Sequence, residues 1–131
     1  MREIKFRIWD GIKLIYQDDI NYIDFRSGFA SVFDEYNYVD NCSKGIDIDN
    51  IMQYTGLKDI EGKEIYEGDI VEKEFVDFSN RDKFIGIIKF IDGCWCVENE
   101  NKRRAYFLFN ETDINSVIGN IYENPELLNK I

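Results

Sequence analysis

The chain of 131 residues contains no histidine, only one proline and only three cysteines. Histidine is the commonest general base near neutral pH and the commonest metal ligand, so its absence excludes Ser–His and Cys–His catalysis. Three cysteines are odd in number and too few for a disulfide scaffold, so we expect reduced thiols. No apolar run is long enough for a membrane-spanning helix, and residues 1–10 lack the apolar stretch of a signal peptide. The sequence therefore predicts a cytoplasmic protein with no catalytic residues, no cofactor and no membrane contact.

Acidic residues dominate the charge: 26 Asp and Glu stand against 16 Lys and Arg, a net charge of -10. A field of this sign repels phosphate backbones, so direct nucleic-acid binding is disfavoured. The charge is also unevenly distributed, with 18 acids and 9 bases in residues 1–80 but 8 acids and 7 bases in residues 81–131.

Size and apolar content predict a folded body. Apolar residues make up 44% of the chain and aromatic residues 15%, which is enough for a hydrophobic core. We expect a single domain over residues 1–131. It could comprise two lobes, an N-terminal β lobe over about residues 1–50 and a small β-barrel lobe with a C-terminal helix over residues 51–131.

Alternating apolar residues and turn signals predict a mainly β fold. Asp10-Gly11 between two alternating segments is typical of a hairpin with a two-residue turn. Asn124, Pro125 and Glu126 favour a short C-terminal helix. The predicted architecture is an N-terminal hairpin region packed on a small, bent, SH3-like barrel formed by Asp69 to Phe109, and an α+β variant stays open. The predicted strands are Ile4–Ile8, Ile12–Tyr16, Asp69–Glu74, Phe84–Ile91, Cys94–Val97 and Ala105–Phe109.

Three stretches carry a family resemblance: KFRIWD from Lys5, MQYTGLKDIEGKEIYEGDIV from Met52 to Val71, and VIGNIYENPEL from Val117. Together they resemble the YopX-like family of phage and prophage proteins, in order and over nearly the whole chain. The family more often has Ala where Ile8 stands, and residues 18–50 match no named pattern. The resemblance implies a phage-encoded, β-rich protein whose activity is not established, so it assigns no catalytic residue.

Two metal sites can be considered and both are weak. Cys94 and Cys96 would point to one face of a strand and could hold zinc with Cys42, but buried free cysteine is the stronger interpretation. The stretch Asp40 to Asn50 invites a calcium loop, yet Ile51 would stand where a bidentate Glu is required. We predict no metal.

Two groups of residues are candidates for binding. Tyr54, Thr55 and Lys58 combine an aromatic ring, a hydroxyl and a cation in a predicted turn, which could form an exposed recognition surface or pack one lobe on the other. Arg103 and Arg104 belong to the only basic run and could bind a phosphate or an acidic partner, or simply decorate a solvated loop.

The leading hypothesis is a non-enzymatic phage accessory protein that binds a host or phage macromolecule, with a protein as the expected partner. A second hypothesis is an acidic mimic of a phosphate backbone that inhibits a host defence or DNA-handling enzyme. Its expected contact residues are Asp34, Glu35, Asp47 and Asp49. A third is a homo-oligomer that sequesters a nucleotide-like molecule between subunits, held by Arg103 and Arg104.

Overall fold

The computed structural model describes residues 2–34, 37–45, 48–76 and 83–130. It is built mostly from β-strands, which confirms the mainly β prediction. Contacts divide the chain into two compact units, Glu3–Gln53 and Tyr54–Ile131. Within the described residues the strands are β1 Phe6–Trp9, β2 Leu14–Tyr16, β3 Ile20–Asp24, β4 Phe29–Asp34, β5 Asn37–Gly45, β6 Ile51–Lys58, β7 Glu64–Tyr66, β8 Asp69–Phe75, β9 Phe84–Ile91, β10 Cys94–Asn99, β11 Arg104–Phe107 and β12 Asp113–Asn120.

The helical segments are short 3-10 helices at Gln17–Asp19, Ile48–Asn50 and Pro125–Lys130. The last occupies the position of the predicted C-terminal helix. The side-chain Oδ1 of the preceding Asn124 accepts a hydrogen bond from the Asn120 backbone N–H at 3.2 Å. Within the described residues, no helix is both long and apolar enough to cross a membrane.

The first unit opens with the predicted hairpin. β1 and β2 pair antiparallel with Trp9 opposite Leu14, which confirms the hairpin but leaves a loop of four residues, Asp10–Lys13. The predicted two-residue turn is therefore wrong. The Asp10 side chain explains the longer loop, because its Oδ1 accepts hydrogen bonds from the backbone N–H groups of Ile12 and Lys13, both at 2.8 Å.

The first unit contains two sheets. β1 also pairs with the beginning of β6, and β3, β4 and β5 form a separate antiparallel sheet. This second sheet lies in the stretch where the sequence predicted least. Buried Ile8 and Ala30 form a core cluster, against which partly buried Ile20, Ile23 and Ile51 pack.

The second unit contains a five-stranded half-barrel sheet in the order β11-β10-β9-β8-β12. The predicted strand at Asp69 and the predicted three-stranded meander are confirmed. The predicted barrel ended at Phe109, however, and therefore omitted one strand of the sheet. β12 pairs with β8 along its length and completes the sheet. The fully buried side chains on the core face include Val71, Ile88, Val97 and Leu108.

Candidate functional site

An apolar groove lies on the second unit. It has a volume of about 410 Å³ and is lined by Leu57, Cys94, Trp95, Phe107 and Phe109. Phe107 and Phe109 are each 66% exposed, whereas Leu108 between them is completely buried. The local sequence explains this arrangement, because successive side chains of an extended segment point to opposite sides. Burial of Leu108 in the core therefore directs both phenylalanine rings outward.

Trp95 connects the apolar groove to the core. It packs against the buried cluster of the second unit, and its ring centroid lies 4.9 Å from that of Phe90 in an edge-to-face arrangement. Phe90 is directly opposite Trp95 in the pairing of β9 with β10. An aromatic side chain fixed in this way loses little conformational freedom when a ligand covers it.

A polar cavity of about 280 Å³ adjoins the apolar groove, and the two share Leu57 and Phe109. Its polar lining residues are Lys58, Asp59, Asn110, Asp113 and Asn115. The Asn115 side chain has a fixed orientation, because its Nδ2 donates to the Leu108 carbonyl oxygen at 3.0 Å. An apolar surface beside a polar one is typical of a site that binds an amphipathic group.

A buried ion pair lies beneath the polar cavity. Lys73 is completely buried, and its Nζ lies 3.3 Å from Asp113 Oδ2 and 3.3 Å from the Leu108 carbonyl oxygen. Burial lowers the pKa of Lys73 from its ordinary value, although the carboxylate of Asp113 acts in the opposite direction. The Asp113 carboxylate that lines the cavity therefore already contacts the buried Lys73 side chain.

Asp59 holds the wall of the polar cavity together. One carboxylate oxygen accepts hydrogen bonds from the backbone N–H groups of Glu61 and Lys63, both at 2.9 Å, and the other accepts from Val117 at 3.0 Å. The first two bonds form the turn between β6 and β7, and the third attaches that turn to β12. Sequence reasoning identified the turn but not this role of Asp59.

The candidates Tyr54, Thr55 and Lys58 do not form one exposed surface. Tyr54 is only 4% exposed and its ring packs on Tyr66 at 5.4 Å, so of the two alternatives for this residue the structure favours packing over an exposed recognition surface. Thr55 Oγ1 donates to the Ile65 carbonyl oxygen at 2.7 Å and is therefore used within the fold. Lys58 is exposed and lines the polar cavity.

The candidates Arg103 and Arg104 are exposed at the connection between β10 and β11. Arg103 has a φ of 51°, which is the left-handed conformation of a tight turn. Neither arginine lines the apolar groove or the polar cavity. Their proposed role in binding phosphate stays a prediction.

The acidic candidates lie in the first unit. Asp49 is exposed in the 3-10 helix Ile48–Asn50. Asp34 ends β4, while Glu35 and Asp47 lie outside the described residues. The calcium-loop stretch from residue 40 to residue 50 likewise falls partly outside them.

The cysteines of β10 differ in environment. Cys94 is exposed and Cys96 is buried, and both are free thiols. Burial raises the pKa of the Cys96 thiol, and the neighbouring acidic groups raise it further. Cys96 is therefore protonated near neutral pH and packs as a small apolar residue. Among the residues whose placement is described, no cluster of His, Cys, Asp and Glu suits a metal ion.

Sequence reasoning missed the aromatic residues of the apolar groove. Trp95, Phe107 and Phe109 were assigned to strands without a site. The usable signal was the pattern Phe107-Leu108-Phe109, in which two large apolar residues flank the one that the core can bury. Whether the two phenylalanine rings or the Leu108 side chain faced solvent depended on the position of β11 in the sheet.

Comparisons with known proteins agree with this fold. A family model described as YopX protein matches residues 5–129, a range that contains all three stretches of the resemblance. The crystal structure of protein yopX from Bacillus subtilis has a TM-score of 0.66 and 27% identity, covering 98% of this chain and 97% of that one. The structure of protein EF1440 from Enterococcus faecalis has a TM-score of 0.55 and 25% identity, covering 98% and 99%. A search of curated proteins found no match.

Proposed function

This chain belongs to the YopX protein family, as its three motifs predicted, and we propose that it is a non-enzymatic binding protein for an extended segment of a protein partner. We place the contact at the apolar groove. The observation that carries the proposal is the exposure of Phe107 and Phe109, each 66%, beside the partly buried Trp95. Exposed aromatic residues around a concave surface are typical of the central contacts of a protein interface.

The neighbouring polar cavity supports a polypeptide as the ligand. Interfaces between proteins combine an apolar centre with polar groups at the margin. Here Lys58 and Asn110 stand next to the apolar groove, within reach of a segment that follows it. A chain of alternating apolar and polar side chains fits such a surface better than a small apolar molecule does. A phage origin and a host or phage partner remain part of the proposal.

The other two hypotheses gain less support. A nucleotide-binding oligomer needs a basic pocket, whereas Arg103 and Arg104 lie outside both the apolar groove and the polar cavity. The phosphate mimic depends on an acidic surface, and Asp49 is the one of its four expected contact residues whose exposure the described part of the chain establishes. We therefore retain partner binding through the apolar groove as the proposal.

The test is selection of random peptides of about 12 residues by display on the immobilised protein, followed by affinity measurement of the enriched peptides. We expect the Phe109→Ser variant to bind them at least about tenfold more weakly, equivalent to about 1.4 kcal/mol, because an aromatic contact is lost. Phe33→Ser is the matched control, since Phe33 is 52% exposed in the first unit. Enrichment of no peptide, or equal affinities for wild type and Phe109→Ser, would refute the proposal.

A further inference from the structure

We infer that the bound segment adds as a strand to the outer edge of β11; this inference rests on the proposed function. β11 is at one end of the five-stranded sheet, and its only strand partner among the described residues is β10. An open strand edge presents unpaired backbone donors and acceptors, which are a template for an extended chain.

The opposite edge of the same sheet is closed. The Ile60 backbone N–H donates to the Asn115 carbonyl oxygen at 3.0 Å, and the Val117 N–H donates to the Asp59 carboxylate at 3.0 Å. The turn after β6 thus covers β12. Within the described part of the second unit, β11 has no comparable cover.

Pairing with β10 decides which backbone groups of β11 face outward. The Leu108 N–H donates to the Trp95 carbonyl oxygen at 2.9 Å. In an antiparallel pair, hydrogen-bonded positions alternate, so Arg104 and Tyr106 direct their backbone groups towards β10, as the Leu108 N–H does. Ala105 and Phe107 consequently direct an N–H and a carbonyl group each away from the sheet. A segment of three or more residues can use these four groups.

The side chains around β11 define the chemistry of the segment. Phe107 belongs to the apolar groove, so the residue that lies beside it should be apolar. At the other end of the strand, Arg104 is exposed. No ion pair involves Arg103 or Arg104 among the residues that the structure describes, in contrast to Lys89, which pairs with Glu98 and Glu100. We therefore expect an acidic residue beside Arg104.

A partner segment fits this edge better than a second copy of the chain. Two copies of β11 paired antiparallel about Tyr106 would place Arg104 opposite Leu108, so neither arginine would meet an acid. Each copy also carries a net charge of -10, which opposes association. The proposed occupant of the β11 edge is therefore an extended segment of a partner protein. It has apolar residues at alternate positions and ends in an acidic residue beside Arg104.

The experiment uses a display-selected peptide whose binding is weakened by Phe109→Ser, and replaces its backbone amides one at a time by N-methyl amides. An added strand predicts affinity losses of at least about tenfold at every second residue and little change between them, because only alternate N–H groups face β11. Ala105→Pro should give a similar loss, since it removes an outward N–H, while Ala105→Ser should bind like the wild type. Thermal unfolding of both variants checks that the fold is intact.

The outcomes separate the two proposals. If Phe109→Ser weakens binding but N-methylation shows no alternation, the added strand is wrong and the apolar groove remains the site. If Phe109→Ser weakens the binding of none of the display-selected peptides, the proposed function itself is rejected. If sedimentation shows a wild-type dimer that Ala105→Pro dissociates, a second copy occupies the edge and the partner segment is refuted.

Discussion

Replacing Asp59 by asparagine should remove the connection between the β6–β7 turn and β12. Asp59 is 9% exposed, and its two carboxylate oxygens accept three backbone hydrogen bonds, from Glu61, Lys63 and Val117. Asparagine keeps one oxygen and puts an NH2 group where the other stood. Because an NH2 group only donates, at least one backbone N–H is left facing a donor.

The expected loss follows from the lost bonds. A hydrogen bond to a charged group contributes about 1.5–3 kcal/mol, and a buried donor left without an acceptor costs about 1–3 kcal/mol. We expect the free energy of unfolding of Asp59→Asn to fall by about 2–3 kcal/mol, measured by urea denaturation at pH 7. The control is Asp24→Asn, because Asp24 is exposed and accepts hydrogen bonds from groups close to it in sequence, including the N–H groups of Arg26 and Ser27 at 3.0 and 3.3 Å. A loss at Asp59 no larger than at Asp24 would refute the reasoning.

The same variant should change the response to acid. Burial alone would raise the pKa of Asp59, but the N–H donors of Val117, Lys63 and Glu61 outweigh it and hold the pKa below its ordinary value of 3.8. The unfolded chain therefore binds the proton more readily, and the stability contributed by the carboxylate is present above that value and is lost as pH falls through the lower folded-state pKa. The stability difference between wild type and Asp59→Asn should be constant from pH 7 to pH 5 and shrink towards pH 3. A difference that is independent of pH would contradict this.

Strands dense in β-branched and aromatic residues between turn signals were predictable from the sequence. Phe84–Ile91 has the predicted bounds, and the strand after the Asp92-Gly93 turn begins at the predicted Cys94 but ends at Asn99 instead of Val97. β12 was not predicted, because Asp113–Asn120 has polar Asn115 and Ser116 at its centre and a register shift between Val117 and Gly119. Its polar residues are compatible with a strand only because distant groups bind them, such as the Leu108 carbonyl oxygen on Asn115.

The candidate site was harder to predict than the fold. Tyr54 appeared exposed because turn residues surround it, yet β6 continues through that position and buries the ring against Tyr66. Phe107 and Phe109 belong to a pattern that any half-buried strand shows. Their exposure in a groove depends on the order of strands in the sheet, which places β11 at an edge. Sequence periodicity indicates which side chains of a strand share a face, but it does not indicate which strands lie beside that strand in the sheet.

Two further predictions concern the core of the second unit. Asp113→Asn should lower the free energy of unfolding, measured in urea, by about 3 kcal/mol, because it leaves the buried Lys73 ammonium without its counter-charge. The double variant Lys73→Met with Asp113→Leu should recover most of this loss. If the single variant does not destabilise the protein, Lys73 is neutral. Gly86→Ala should cost about 2–3 kcal/mol, because a Cβ at Gly86 would lie 2.7 Å from the Glu98 carbonyl oxygen, and backbone in a paired strand can move little. Gly119→Ala is its comparison: the added Cβ would lie 2.6 Å from the Asn124 side-chain oxygen and 2.9 Å from Asn124 Cβ, so the turn that follows β12 must shift. We expect this turn to shift more easily than two paired strands, so Gly86→Ala should have the lower thermal unfolding midpoint. The reverse order would mean that β9 and β10 separate more easily than the turn shifts.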